Sequence, residues 1–167
     1  NFEKDGLGDL LLKEMKLKPR KKSNLSEWRT FVNKIHSAQK ELHIAIVGKY
    51  FDTGDFMLSD AYLSVIEAIK YSSYTQGVKP KITWLNSKDF QNGKASLPTL
   101  AKYDGIIVPG GFGETGIEGK IKVIQYAREN KIPYFGLCYG MQLMLVEYAR
   151  NVLGLFGAHT TEIDPRT

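Results

Sequence analysis

Cys138, the one cysteine of the chain, stands in the run Gly136-Leu-Cys138-Tyr-Gly140. A glycine two positions to either side of a nucleophile permits the strained strand-to-helix turn that pushes the side chain into the open, and the dipole of the following helix favours a thiolate there. A thiolate so placed attacks a carbonyl carbon, and the backbone amide of Tyr139 faces the oxyanion that develops. A second glycine run, Pro109-Gly-Gly-Phe-Gly113, lets backbone approach a ligand closely and offers the amide of Gly111 as a further oxyanion donor. Spacing alone leaves a blander reading open, in which two glycines close a loop around a buried core thiol. A lone cysteine excludes an internal disulfide and a cysteine-based metal site.

A thiol nucleophile needs a base, ordinarily a histidine held by a third group. Of the three histidines, His36 falls on a predicted helix, His43 falls inside a predicted strand as a structural residue, and His159 is nearest the elbow in sequence. None has the setting of a base, so the base is expected on chain beyond Thr167. A rival reading also starts at the second glycine run, because Gly111-Phe-Gly113-Glu-Thr-Gly116 matches the dinucleotide fingerprint between a strand and a helix. The next predicted strand ends in Gly136-Leu-Cys138, with no acidic residue to hold a ribose, which counts against nucleotide binding.

The elements that would position these residues alternate. Asn24 and Glu27 form a capping-box pattern, and Leu25, Trp28, Val32 and Ile35 repeat at helical spacing, predicting a helix to about Ser37 whose apolar stripe must dock on something. Leu42 to Val47, closed by Gly48, reads as a strand buried on both faces. A helix capped by Ser59, with Asp60 at its positive end, follows through Tyr62, Val65, Ile66 and Ile69. Lys81 to Leu85, Asp104 to Val108 and Ile132 to Phe135 read as strands, with helices over about Gly119 to Asn130 and Met141 to Leu153. Strands alternating with helices predict an α/β fold, a doubly wound and mostly parallel sheet flanked by helices, with ligands beyond the carboxyl ends of the strands.

Composition bounds the class. A chain of 167 residues with 43% hydrophobic and 25% charged residues is sized for one globular domain. No stretch is apolar enough to span a bilayer, and the opening is too charged for a secretory signal, so a cytoplasmic protein without membrane contact is expected. The net charge of +5 owes much to the basic run Lys13 to Lys22, and no nucleic-acid recognition module accompanies it. Residues 1–22 read as a tail or linker.

At Pro109-Gly-Gly-Phe-Gly, Glu118-Gly-Lys-Ile, Tyr126-Ala-Arg-Glu-Asn and Gly136-Leu-Cys-Tyr-Gly-Met-Gln142, the sequence resembles the class I glutamine amidotransferase domain of the CTP synthase family. Val47-Gly-Lys-Tyr50, Asp60-Ala-Tyr-Leu-Ser-Val-Ile-Glu67 and Thr161-Glu-Ile-Asp-Pro165 add to the match in family order. The resemblance implies a flavodoxin-like fold and three parts: residues 1–22 as the end of a synthetase domain with a basic linker, 23–40 as a linker helix, and 41–167 as the N-terminal part of the amidotransferase domain. It implies that Cys138 attacks the side-chain amide of glutamine and forms a glutamyl thioester. The ammonia released passes to a synthetase domain where UTP, activated by ATP with Mg2+, becomes CTP. Carried over by position, Gly111, Tyr139, Gly140, Met141, Gln142 and Glu162 bind glutamine, and no cofactor or metal is expected on this stretch. The intact enzyme would be a homotetramer.

Four features depart from the family pattern. Tyr139 stands where leucine is usual and Thr115 where many members carry arginine, while Phe51 to Ser59 forms a longer loop and Gly157-Ala-His-Thr160 differs from the usual sequence before Glu162. The family's catalytic histidine and glutamate, and a glutamine-binding arginine, lie downstream, so this stretch alone is expected to hydrolyse glutamine poorly or not at all. Other readings are a non-catalytic domain of the same fold, an amidotransferase domain of another synthetase, or a cysteine hydrolase of γ-glutamyl peptides.

Overall fold

A computed structural model describes residues 2–21, 24–48, 62–111 and 114–167. The expected cap at Ser59, the charge at Asp60, the 51–59 loop, Lys49, Tyr50, Phe112 and Gly113 lie outside the described residues. The chain divides into two compact units, 1–33 and 34–167.

In the first unit, Leu7–Glu14 forms helix α1, within the stretch read from sequence as a tail or linker. Asp9 in the first turn and Lys13 in the last complement the helix dipole, and the amide of Leu17 returns to the Leu12 carbonyl at 2.8 Å to close its end. Helix α2, Ser26–Ser37, begins as the capping pattern predicts, with the Ser26 amide donating to Asn24 Oδ1 at 3.0 Å. Helix α2 contains no buried residue, and Trp28 is 64% exposed.

The second unit is a four-stranded parallel sheet. Its strands are β1 (Glu41–Gly48), β2 (Lys79–Asn86), β3 (Gly105–Val108) and β4 (Tyr134–Gly136), in the order β2-β1-β3-β4. The register sets Ile44 beside both Ile82 and Gly105, and Val108 beside Gly136. Strand connections are made by α3 (Leu63–Thr75), by α4 (Ser87–Gln91) with the 3-10 helix Leu97–Lys102, and by α5 (Ile117–Glu129); α6 (Tyr139–Asn151) follows β4. The doubly wound prediction holds, and the order is that of flavodoxin-like sheets, with its direction reversing between β1 and β3.

Side-chain parity divides the core. Ala45, Val47, Ile106 and Val108 face a larger cluster built with Val123, Ile124 and Ala127 of α5 and Leu143 and Val146 of α6. Ile46, with Ile44 and Ile107 beside it, faces a smaller cluster with Tyr62 and Ile69 of the α3 region. Each strand therefore carries apolar residues on both faces, which explains the continuous apolar runs of the sequence. The five-residue α4 and the 3-10 helix, neither of which the periodicity marked, are pinned by buried Phe90 and Leu100.

Helix α5 owes its close seat to Gly119. A β carbon there would lie 1.8 Å from the carbonyl oxygen of Ser87, so only hydrogen allows α5 to meet the end of β2 and start of α4. The same turn carries Lys120, which is 1% exposed. Between the helices, Arg128 of α5 donates Nε and Nη2 to Glu147 of α6, the shortest contact being 2.8 Å, while the Glu147 side chain is 1% exposed. Asn151 Nδ2 donates to the same carboxylate at 3.1 Å. The paired carboxylate raises the Arg128 pKa above its ordinary value through these hydrogen bonds, and the pair locks α6 against α5.

Candidate active site

The elbow follows from backbone packing. Cys138 is the N-cap of α6 and holds φ 53 and ψ −110, a conformation that a side chain other than hydrogen adopts only under constraint. The constraint comes from both flanking glycines. A β carbon on Gly136 would lie 2.6 Å from the backbone of Gly140 and Met141, and one on Gly140 would lie 2.0 Å from the carbonyl oxygen of Val108. The end of β4, the first turn of α6 and the end of β3 thus touch through bare backbone. The Leu137 amide adds a bond to the Val108 carbonyl at 3.0 Å.

Cys138 is exposed, which removes the reading of a packed core thiol. It sits against the other glycine run: a β carbon on Gly110 would be 3.3 Å from the Cys138 β carbon and 3.7 Å from its sulfur. Gly111 adopts φ 148, outside the ordinary range of residues with a side chain, as the second run was expected to require. Tyr62 pins this loop by donating its hydroxyl to the Gly110 carbonyl at 3.1 Å, a contact that spacing along the chain did not suggest. First-turn amides of a helix have no intrahelical acceptor, so the Tyr139 N–H is available beside the sulfur. The geometry therefore places a solvent-accessible thiol between a helix N-terminus and a glycine loop, an arrangement suited to attack on a carbonyl carbon.

The Tyr139 side chain is fully buried. Lys120 Nζ lies 5.9 Å from its ring centroid, a cation over the face of the ring. Burial raises the phenol pKa, the neighbouring Thr160 hydroxyl partly offsets that, and Glu162 raises it further. The Tyr139 and Thr160 hydroxyls are both buried and face each other without completing a regular hydrogen bond. Tyr134 on β4 donates its hydroxyl to the Gly140 carbonyl at 2.8 Å, and burial holds its pKa above the usual phenol value.

Of the other expected glutamine-binding residues, Gln142 lies one turn along α6, its amide directed to the Cys138 carbonyl at 3.3 Å. Gln142 Nε2 donates to Glu162 Oε1 at 3.1 Å, so residues 20 positions apart come together near the elbow. Met141 is half exposed, while Gly140 serves the packing described above. His36 is on exposed α2; His159 accepts from the Thr160 amide through Nδ1 at 2.8 Å. His43 lies inside β1, its side chain 50% exposed at the amino end of the strand and 3.8 Å from Glu41, whereas Cys138 lies at the carboxyl end of the sheet. Among the described residues no three His, Cys, Asp or Glu side chains gather as metal ligands. Gly116, the third glycine of the dinucleotide-like run, holds φ 78 and packs against the Ser87 side chain, a packing role that needs no nucleotide.

Residues 57–164 match the family described as glutamine amidotransferase class-I. The chain belongs to that family. Over 166 residues it is 49% identical to a CTP synthase of Sulfurisphaera tokodaii and 52% identical to one of Thermococcus gammatolerans, in each case over 99% of this chain and 30% of the relative. A CTP synthase of Bacillus subtilis is 46% identical over 167 residues, also 30% of its length. Among solved structures, the glutaminase domain of Trypanosoma brucei CTPS with bound acivicin superposes with a TM-score of 0.66 at 36% identity, covering 74% of this chain and 46% of that one. The chain thus spans about 30% of the length of the curated relatives it matches.

Proposed function

We propose that the chain is the glutaminase part of a CTP synthase, with Cys138 as its nucleophile. The observation that carries this is the exposed thiol held at φ 53 on the N-terminus of α6, facing the glycine loop at Gly110 and Gly111. In the reading we propose, the Cys138 thiolate attacks the side-chain carbonyl carbon of glutamine, and the amides of Gly111 and Tyr139 hold the oxyanion. Collapse of that intermediate expels ammonia and leaves a γ-glutamyl thioester, which water cleaves to glutamate and free thiol. Gln142 and Glu162 bind the substrate's polar end, the Glu162 carboxylate pairing with the α-ammonium group.

The base that accepts and returns the proton is a histidine, oriented by a glutamate, on the longer polypeptide. The stretch of 167 residues by itself is correspondingly inactive or nearly so. Residues 1–22 and 23–40 are the end of the synthetase domain and a linker helix, and 41–167 the first part of the amidotransferase domain. Ammonia passes to the synthetase domain, where ATP with Mg2+ activates UTP for amination; those sites are assigned outside this stretch. The intact enzyme is a cytoplasmic homotetramer in this reading, and no helix among the described residues is long and apolar enough to cross a membrane.

The test uses the full-length gene product and compares wild type with Cys138→Ala in CTP formation from UTP and ATP, with glutamine or ammonium as nitrogen donor. The expected result is loss of the glutamine-supported reaction with the ammonium-supported one retained. Acivicin, present in the Trypanosoma structure, should inactivate wild type only toward glutamine. A wild type that makes no CTP from either donor overturns the proposal.

A further inference from the structure

The segment that carries Glu162 meets the larger core cluster through Ile163. Between it and α6 lies a cavity of about 330 Å³, lined by Gln142, Leu145, Ala149, His159 and Thr160 among others. Residues 160–164 form a turn in which the amides of Ile163 and Asp164 both donate to the Thr160 carbonyl at 3.0 Å. Where this turn sits relative to Cys138 is set by the Ile163 contact together with what holds its leading end.

That leading end is held by Arg150, in the last turn of α6. Its Nε donates to the Ala158 carbonyl at 2.6 Å and its Nη1 to Glu118 Oε1 at 3.0 Å, with only 18% of the side chain exposed. The planar fork satisfies both acceptors at once, so it ties the segment to the first turn of α5 as well as to its own helix. Two residues further on, the buried Thr160 hydroxyl faces that of Tyr139, the residue beside the nucleophile. Glu162 then reaches Gln142 on the first turn of α6. Neither the charge of Arg150 nor its distance in sequence from the elbow marked it as part of the site.

We propose that Arg150 is a positioning residue for the glutamine-binding carboxylate: through Ala158 it fixes the 160–164 turn so that Glu162 meets the substrate's α-ammonium group. The inference rests on the reading of Glu162 given above. A displaced carboxylate weakens binding of glutamine but leaves the Cys138 elbow, and the ammonium route that bypasses it, untouched.

The experiment measures glutamine-dependent and ammonium-dependent CTP formation by the full-length gene product as wild type, Arg150→Met, Arg150→Lys and Glu118→Gln. Arg150→Met removes both bonds at nearly constant length and should raise the KM for glutamine about tenfold, with kcat and the ammonium-supported rate unchanged. Arg150→Lys, which can keep one bond, should recover part of that rise, and Glu118→Gln should give a smaller one. An electrophilic glutamine analogue should show the same rise in its half-saturating concentration, while iodoacetamide, which needs no carboxylate, should alkylate Cys138 at the wild-type rate. An unchanged KM overturns the inference, as does a parallel fall of both activities with the melting temperature, which marks a merely structural arginine. Should Arg150→Met not accumulate as folded protein, the Lys and Glu118→Gln variants decide by the same two readouts. If wild type uses ammonium but not glutamine, the reading of Glu162 fails and this inference with it; a wild type responsive to glutamine beside an unresponsive Arg150→Met condemns the inference alone.

Discussion

The elbow from Gly136 to Gly140 and the segment from Ala158 to Glu162 both abut α6, yet they are held by different means. At the elbow, backbone meets backbone: the first turn of α6 presses on the Val108 carbonyl and on the end of β4 at distances where no β carbon fits. At the segment, side chains reach across space through Arg150, Thr160 and Gln142, above an incompletely filled cavity. Backbone packing has one solution and tolerates no added atom, which suits a nucleophile that must be placed to within a fraction of an ångström. Side-chain tethers can be exchanged one at a time, so their loss shifts the segment without breaking the elbow.

The largest test of that contrast is Gly140→Ala. Helix propensity favours alanine by about 1 kcal/mol. Against it stands a β carbon 2.0 Å from the Val108 oxygen. Overpacking of rigid backbone should win, with a net loss of about 3 kcal/mol in urea unfolding of the full-length protein and loss of glutamine-dependent activity. Stability equal to wild type would show that the elbow yields, and the contrast would break.

Next in size is Arg128→Met, which leaves the Glu147 carboxylate buried with Asn151 as its remaining partner. A loss of about 2 kcal/mol is expected because a buried charge has lost its ion pair. A shift of the unfolding midpoint with unchanged slope would report it.

A third test is alkaline pH. Burial raises the phenols of Tyr134 and Tyr139 above 10.0, so the folded chain keeps protons that the unfolded chain has already released. The unfolded state then binds fewer protons, and stability, level below about pH 10, must fall as pH rises beyond it, by at most about 1.4 kcal/mol per pH unit for each group. Tyr134→Phe removes one group's share of that slope. It also removes the hydrogen bond to the Gly140 carbonyl, so it asks how far a side chain supports the elbow at all.

Smallest is Gly157→Ala, at the head of the segment. Its φ is not in the left-handed region and a β carbon there meets nothing within 4 Å, so the change should move stability by less than about 0.5 kcal/mol. Two glycine-to-alanine changes on either side of one helix would then differ several-fold, and equal effects would erase the contrast.

Local chemistry was legible in the sequence where one short segment suffices. The spacing of Gly136, Cys138 and Gly140 pointed to a strand-to-helix elbow while leaving a buried thiol open, and continuous apolar runs announced strands buried on both faces; both are properties of neighbours along the chain. Four strands and helices α3, α5 and α6 fell near their expected places. Helix α1 escaped because Leu7 to Leu12 sits beside a strongly basic run, and α4 because five residues are too few for a period to show. The strand order was not written in any segment, although alternation implied its class.

The amino-acid sequence by itself determined that the chain is a parallel α/β protein with its one cysteine at a strand–helix junction, because those signals reside in residue type and short spacing. Tertiary structure alone decided why the elbow glycines are indispensable, since their collision partners, Val108 and the α6 backbone, come from different elements. It likewise decided that Tyr62 pins the glycine loop, that His43 faces solvent at the far end of the sheet, and that Arg150 holds the segment bearing Glu162. Each of these is a contact across elements, and no one-dimensional spacing records how close two segments come when the sheet closes its register and the helices settle on it.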